Sequence, residues 1–448
     1  MLKLTSRTLL LAVFALSATQ LWAQGVKSPY SALGVGTVKR PGYANFDAMG
    51  GVGISGGSPL FINTVNPALL VNNRYTLFDI GMLYEKRTAE NSDISQTNSD
   101  AQLTNLAISL PIKPGMWTIA AGLQPYSNVD NEVFGQTENP DKKYILDKFK
   151  RRGSGGINQV FLSTGVRLWK GLSVGVSGNY FFGTISNEEV LTPYDTRQDS
   201  DDPLERDKAI VFNTIGAWED IYEYSKFSFD LGVAYDHKFS KTLYGHLGAV
   251  YRHYGDFNVD FAREVQTRPQ SEDPDSPLYE TISSSNSSYT AKIPSELGFG
   301  LSFSNPSRWM LGVDFTNSDW SKYTNEKNPY SEKDLTNSYR FAVGGYFIPD
   351  YRSFSYIKRM TFSAGAYYEE TPIEIKGKQI TDKGLTFGVQ APLVNPSAYA
   401  RYFSSINTAF TFGTRGTTSD ALIKENYFQI SVGLTFGDDS WFRRRKYD

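Results

Sequence analysis

Cysteine is absent from this chain of 448 residues, and histidine occurs only three times. The first absence excludes a disulfide framework, a thiol nucleophile and a lipid-modified cysteine anchor. Metal ligands usually cluster along a sequence, and His237, His246 and His253 belong to no such cluster, so we predict no metal site. The glycine-rich run 50–57 lacks the lysine of a phosphate-binding loop, and no cofactor is predicted.

Long apolar runs are also missing beyond the first residues. The run Leu9–Leu16 follows Lys3 and Arg7, which predicts a secretory signal peptide over 1–23 with cleavage after Ala23. An uncleaved membrane helix is the weaker alternative, because the run is far shorter than the roughly 20 residues needed to span a bilayer. The net charge of −2 gives no indication of a nucleic-acid partner.

Glycine and aromatic residues are abundant instead, with 39 Gly, 28 Tyr and 29 Phe, although the mean hydropathy is only −0.37. The final run, 427–436, places its apolar residues from Phe428 to Phe436 on one face and polar or small residues such as Gln429 on the other. This alternation has a period of two residues, which is typical of a β-strand. The run is about ten residues long, which is the length of a tilted strand that crosses a bilayer. Half of such a strand faces a polar lumen, which keeps the mean hydropathy low.

The same alternation recurs along the whole chain. It predicts an all-β fold, namely a transmembrane antiparallel β-barrel of about 14 strands, the even number that bacterial barrels require. We place the strands near 76–88, 101–112, 116–127, 157–169, 172–186, 226–238, 243–257, 289–303, 309–321, 335–347, 359–370, 384–392, 404–414 and 426–436.

The charged residues within these strands fall on the polar face, as Asp230, Asp314 and Arg167 illustrate. A lipid-facing Arg or Lys costs about 2–4 kcal/mol at mid-membrane, so the polar face is predicted to line the lumen. Connections alternate between short turns and long external loops, which we predict at 128–156, 187–225 and 258–288.

Four segments follow from these patterns: the signal peptide 1–23, an N-terminal segment 24–75, the barrel 76–436 and a basic aromatic periplasmic tail 437–448. Segment 24–75 is rich in Gly, Ser, Asn and Pro but retains apolar residues. We predict a compact plug, or hatch, inside the barrel, and the alternative is a mobile periplasmic tail.

Several motifs resemble those of the FadL/TodX family of outer-membrane transporters of hydrophobic compounds, and they occur in the family's order. They are Asn66-Pro67-Ala68, Gln124-Pro125-Tyr126, Gly175–Gly183, Ile293–Gly298 and Trp309–Asp314. The resemblance covers nearly the whole mature chain. It implies passive uptake of long-chain fatty acids or aromatic compounds across the outer membrane, by rearrangement of a hatch and lateral exit through the barrel wall.

The resemblance also implies site residues. Asn66, Pro67 and Ala68 would form the hatch hinge, since Asn bonds local backbone and Pro fixes φ. The alternative is a plain turn. Pro125 cannot donate a ladder hydrogen bond, so it is the candidate for a lateral opening, and the alternative is an ordinary strand end.

Three lumenal arginines, Arg167, Arg252 and Arg340, are candidates for binding a carboxylate head group through a bidentate pair. The alternative is that they pair with lumenal acids and line the wall. The acids on the same parity are Asp79, Asp230, Glu296 and Asp314.

Other functions stay open at this stage. The chain could be a non-transporting accessory or structural subunit of an outer-membrane secretion complex, or a water-filled porin, against which the plug argues. Catalysis is not expected: a hydrolase needs a Ser–His pair with an orienting third group, and although the chain has many serines, the sequence cannot place one beside His246. The partners we expect are hydrophobic small molecules or lipids, outer-membrane lipid, the barrel-assembly machinery through the C-terminal strand, and a further protein partner.

Overall fold

The computed structural model describes residues 26–92, 94–138, 144–199, 201–269, 280–305, 308–327, 335–393 and 402–438. The predicted signal peptide lies outside the described residues, as does the predicted tail from residue 439 onward. The strands are β1 (Thr37–Val38), β2 (Thr76–Glu90), β3 (Ser95–Lys113), β4 (Trp117–Glu138), β5 (Ile145–Arg167), β6 (Leu172–Asp195), β7 (Thr214–Lys238), β8 (Tyr244–His253), β9 (Gly255–Pro269), β10 (Glu280–Ile293), β11 (Glu296–Asn305), β12 (Trp309–Asp319), β13 (Asn337–Phe347), β14 (Thr361–Ile375), β15 (Lys378–Pro392), β16 (Tyr402–Gly416) and β17 (Lys424–Asp438).

The helices of the described chain are short. They are α1 (Ala44–Asp47), α2 (Pro203–Arg206) and α3 (Tyr356–Arg359), together with 3-10 turns at Pro29–Ala32, Pro67–Asn72, Thr196–Asp199, Trp320–Lys322 and Ser419–Ala421. No helix among the described residues is long and apolar enough to cross a lipid bilayer.

Antiparallel pairing runs from each wall strand to the next and closes where β17 pairs with β2. Two wall strands are each divided into two segments, β8 with β9 around Tyr254, and β10 with β11 around Pro294 and Ser295. The wall therefore contains 14 strands, which confirms the predicted barrel and its strand count. The last strand ends at Asp438, two residues beyond the predicted barrel boundary.

The predicted strand positions are accurate at one end of the barrel and too short at the other. The predicted loops 128–156, 187–225 and 258–288 are largely wrong, because β4 continues to Glu138 and β7 already begins at Thr214. Residues beyond the membrane need no lipid-facing apolar side, so the period-two signal fades while the backbone ladder continues. The end with these extensions also carries the two longest connections, Asp195–Thr214 and Asp319–Asn337, and is therefore the external end.

The segment before β2 lies in the lumen, because it contacts strands on different sides of the wall. Ser28 bonds Asp130 of β4, Asn66 bonds Val233 of β7, and Thr386 of β15 donates to the Ala48 carbonyl. The segment has a small core of its own that continues into the wall, formed by Phe46, Met49, Val52, Ile54, Phe61, Val65, Val250, Met310 and Ala342. Burial of this surface stabilises the segment inside the barrel, at roughly 25 cal/mol per Å² of apolar area.

Candidate functional site

The motif Asn66-Pro67-Ala68 forms the start of a 3-10 turn pressed against the wall. The Asn66 side chain caps the turn by accepting from the Ala68 N–H (3.0 Å). Its amide group donates to the carbonyls of Ile54 (2.7 Å) and Val233 (3.2 Å). One buried asparagine thus joins the turn, the preceding loop of the lumenal segment and wall strand β7.

Wall glycines allow this close approach. A Cβ atom on Gly175 of β6 would lie 2.3 Å from the Pro67 carbonyl carbon, and one on Gly344 of β13 would lie 2.0 Å from the Met49 oxygen. No side chain larger than hydrogen fits at either position. The abundant glycine in the wall therefore has a specific use, which is to let the lumenal backbone lie against the strands.

Arg40, which sequence reasoning missed, binds two strands of the wall from the lumenal segment. Its guanidinium contacts Glu296 of β11 at 3.1 Å and Glu369 of β14 at 2.5 Å. Glu296 also pairs with Arg252, and Glu369 pairs with Arg340 at 3.6 Å. The five charges form one network, which connects the lumenal segment to the neighbouring wall strands β8, β11, β13 and β14.

All three candidate head-group arginines contact the lumenal segment directly. Arg252 donates to the Val65 carbonyl (2.7 Å), and Arg340 donates to the Gly50 carbonyl (2.8 Å). Arg167 lies at the periplasmic end of β5, where it donates to Asn72 (3.2 Å) and sits 3.8 Å from an Asp236 oxygen. The structure therefore brings Arg252 and Arg340 together with Arg40, and places Arg167 apart from them.

Lumenal acids also hold the segment. Asp314 of β12 accepts from the backbone N–H groups of Gly53 (2.7 Å) and Ile54 (2.8 Å). In the lumenal segment, burial raises the pKa of Asp47 to about 6, although the Ser431 hydroxyl donates to its carboxylate (2.7 Å). The segment therefore contains one carboxyl group whose charge changes close to neutral pH.

The wall is incomplete between β3 and β4. Pairing between these strands runs from Lys113 to Leu106 and ends at the pair Leu106–Leu123. Beyond that point β3 pairs with β2 and β4 pairs with β5, and no β3–β4 pair exists among the described residues. Pro125 lies two residues past the last pair, beside a register shift in β4, and we call this separation the wall gap.

The lumenal strand β1 lies at the wall gap. Thr37 pairs with Asn128, and Val38 pairs with Ser127 of β4. A cavity of about 190 Å³ lies between the gap and the lumenal segment. It is lined by Thr37–Gly42, by Gln102, Thr104, Gln124 and Pro125 at the gap, and by charged groups that include Glu85, Arg87 and Arg415.

The other cavities differ in place and character. Two further cavities between the lumenal segment and the wall measure about 70 and 30 Å³. A larger pocket of about 450 Å³ opens at the periplasmic end, where Met49, Leu60 and Phe61 meet Tyr346 and Val389. Apolar space is therefore larger on the periplasmic side of the segment than beside the wall gap.

A carboxylate, a histidine and a serine also come together at the periplasmic end. His246 Nδ1 lies 2.7 Å from Asp236, and its Nε2 lies 2.8 Å from the Ser304 hydroxyl. These are the side chains of a hydrolytic triad, which the sequence could not reveal because Ser304 is 58 residues from His246. Ser304 is only 5% exposed, so a substrate carbonyl has little access to its hydroxyl. We interpret the three residues as a hydrogen-bond chain that joins β7, β8 and β11.

No group of three or more His, Cys, Asp or Glu side chains within the described ranges could hold a metal ion. The described residues thus form a 14-stranded barrel with a segment inside its lumen and a gap in its wall. Together they define an outer-membrane β-barrel protein of the FadL type.

The comparisons with known proteins identify the family. The model of the BamG family matches residues 4–448, and the chain belongs to this family. Among curated proteins, no sequence match was found.

Solved structures share the fold. A FadL homologue from Pseudomonas aeruginosa has a TM-score of 0.58 at 13% identity, over 93% of this chain and 100% of that one. The toluene transporter TodX of Pseudomonas putida has a TM-score of 0.55 at 14% identity, over 90% and 99% of the two chains. The toluene transporter TbuX of Ralstonia pickettii has a TM-score of 0.55 at 13% identity, over 89% and 99%. The resemblance to the FadL/TodX family is thereby confirmed, and at these identities it concerns the fold.

Proposed function

We propose that this barrel takes up hydrophobic small molecules passively across the outer membrane, through the wall gap. The observation that carries the proposal is the end of β3–β4 pairing at Leu106–Leu123, beside Pro125 and next to a lumenal cavity. Two proteins with the same fold, TodX and TbuX, are toluene transporters.

A lateral exit suits such a cargo physically. Each CH₂ group that leaves an apolar environment for water costs about 0.8 kcal/mol, so an aqueous channel opposes the passage of a long chain. A molecule that leaves through the wall enters the lipid directly. Hydrophobic compounds are therefore the substrate class, either long-chain fatty acids or aromatic compounds.

The lumenal segment must move for the route to open, because the cavity beside the gap is small and has charged walls. We propose that it acts as a hatch, with Asn66-Pro67-Ala68 as the hinge. Release of the segment would free Arg252 from Val65 and Arg340 from Gly50. These arginines, with Arg167 nearer the periplasm, could then bind a carboxylate head group in turn.

A disulfide lock tests the movement. Val38 and Ser127 are directly opposed in antiparallel strands, where Cα atoms lie about 4.5–5.5 Å apart, a separation that suits a disulfide. The chain has no other cysteine, so Val38→Cys with Ser127→Cys forms a single defined bond. The matched control is Thr408→Cys with Val432→Cys, which joins two wall strands.

Uptake of a radiolabelled fatty acid or toluene is measured in cells that lack other such transporters. The V38C/S127C variant is expected to lose uptake when oxidised and to recover it after reduction, while the control pair has no effect. Equal uptake by the oxidised and reduced lock would refute hatch movement at β1. Absence of uptake by the unmodified protein would refute transport itself.

A second candidate function is an accessory subunit of an outer-membrane complex, and two observations favour it. The cavity beside the wall gap is small, and β10 is exposed at every side chain from Glu280 to Ser288 while it pairs with β9. A sheet that extends outside the membrane offers an extended partner segment a place to dock. A photo-crosslinking residue at Ser285 should then capture one specific envelope protein, and the V38C/S127C lock should leave that capture unchanged. Capture of no protein would contradict this candidate.

A further inference from the structure

The outer surface of the barrel carries a groove that the proposed transport route does not use. It measures about 760 Å³ and crosses β14, β15, β16, β17 and β2 on the lipid side of the wall. Its floor is apolar, and its main contributors are Ala366, Tyr368, Leu385, Phe412 and Phe428. Leu385 and Phe412 are 56% and 53% exposed, so their side chains point away from the lumen.

Beneath the groove, the wall contains two opposed glycines, which have no side chains. Gly384 of β15 is directly opposite Gly413 of β16. A Cβ atom at Gly384 would lie 2.7 Å from the Tyr367 hydroxyl, and one at Gly413 would lie 2.2 Å from the Tyr427 ring. The two tyrosines therefore lie flat against the glycines from inside, and their hydroxyls are hydrogen-bonded to each other. The groove thus has a rigid, hydrogen-bonded backing.

The groove lies where the membrane-facing surface changes from apolar to polar. On β2 the outward residues are apolar up to Tyr84 and then become Lys86 and Thr88. On β15 the outward side chains change from Leu385, which lies in the pairing row of Lys86, to Lys383, which lies in the pairing row of Thr88. Since these positions lie toward the external end, the groove is at the level of the head groups of the outer leaflet.

Lys86 and Lys383 flank the groove from opposite sides. Their strands are three positions apart in the wall, which corresponds to about 14 Å. Neither ammonium group forms an ion pair with any residue that the structure describes, whereas nearby Lys424 pairs with Glu90 at 3.1 Å. Two positive charges without an ion pair among the described residues, above an apolar floor, fit an amphiphile with a negative head group.

We propose that this groove is a binding site for a phosphate-bearing lipid of the outer leaflet. The acyl chains would lie on Leu385, Phe412 and Phe428, and the phosphate would lie between Lys86 and Lys383. The position on the lipid side of a fully paired part of the wall makes a membrane lipid the occupant, in place of cargo from the lumen. The unpaired lysines make that lipid an anionic one.

The test uses the full-length barrel in mild detergent, titrated with phosphatidylglycerol or with phosphatidylcholine of the same acyl chains, and native mass spectrometry as the readout. We expect phosphatidylglycerol to bind at least tenfold more tightly. Each lysine near a lipid head group contributes roughly a factor of five, so Lys86→Gln with Lys383→Gln should weaken binding roughly 25-fold. The matched control is Lys292→Gln, an exposed lysine on β10, which should bind as the unmodified protein does.

A second variant tests the apolar floor of the groove independently of the two lysines. Leu385→Trp keeps both lysines but fills the floor, and it should also weaken phosphatidylglycerol binding. Heat-modifiable mobility on a gel checks that each variant is folded. Equal binding of the two lipids, or unchanged binding by the double lysine variant, would overturn the proposal.

Discussion

Replacement of Arg40 by alanine should loosen the lumenal segment without unfolding the barrel. Arg40 is the residue through which the segment reaches both Glu296 and Glu369. Removal of one partner from a buried ion pair costs about 3–5 kcal/mol, because a charge is left uncompensated. Here Glu296 retains Arg252 and Glu369 retains Arg340, and the lumen contains water-accessible space. We therefore expect the substitution to lower the free energy that holds the segment in the lumen by about 2 kcal/mol. This change raises the detached fraction of the segment roughly 30-fold.

Hydrogen exchange of the segment measures this change directly. In Arg40→Ala, amides between residues 44 and 66 should exchange roughly 30-fold faster, while amides of β16 and β17 keep their protection. Planar-bilayer recordings should show more frequent openings for the same reason. The control is Arg206→Ala, on the external helix α2. Unchanged exchange in R40A would show that the ion pairs do not hold the segment, and equal loss of protection in β17 would show that the variant unfolds the wall instead.

Two further substitutions probe the contacts of the hinge motif. Gly175→Ala places a methyl group 2.3 Å from the Pro67 carbonyl carbon, and such overpacking typically costs about 1–3 kcal/mol, so limited proteolysis should cut the segment faster. Gly216→Ala, which meets no atom within 4 Å, is its control, and equal cleavage of the two variants would contradict the close-approach argument. Asn66→Ala removes a cap and two hydrogen bonds to buried carbonyls, so the segment should lose about 1–3 kcal/mol of docking free energy by hydrogen exchange. If the exchange rate of Ala68 stays the same in N66A, the motif is only a local turn.

The membrane-facing part of the barrel was predictable because lipid imposes a rule on every strand. Residues such as Phe428 and Val432 face lipid and must be apolar, and the alternate residues face the lumen. Each membrane-crossing strand therefore shows a hydrophobic alternation with a period of two residues. The external parts of β4 and β7 obey no such rule. Their backbone groups are paired, but their side chains meet water on the outer face, so the sequence suggested loops where strands exist.

The candidate site was predictable in its residue types but not in its pairings. The motif Asn66-Pro67-Ala68 and Pro125 could be picked out in the sequence, because proline and asparagine have strong local preferences. Arg40 gave no local signal, since its partners lie 256 and 329 residues away. Its role depends on the closure of the wall around the segment.

The sequence by itself determined the β-barrel class and the number of wall strands, because these depend on composition and local periodicity, and the export signal stays a prediction. Only the tertiary structure decided where pairing between wall strands ends, which arginines contact the lumenal segment, and where the outer groove lies. Such features depend on register and on contacts between strands distant in the chain, such as the end of pairing at Leu106–Leu123 and the glycine pair Gly384–Gly413. A period-two pattern specifies which face a residue occupies, and it carries no information about which residue lies opposite.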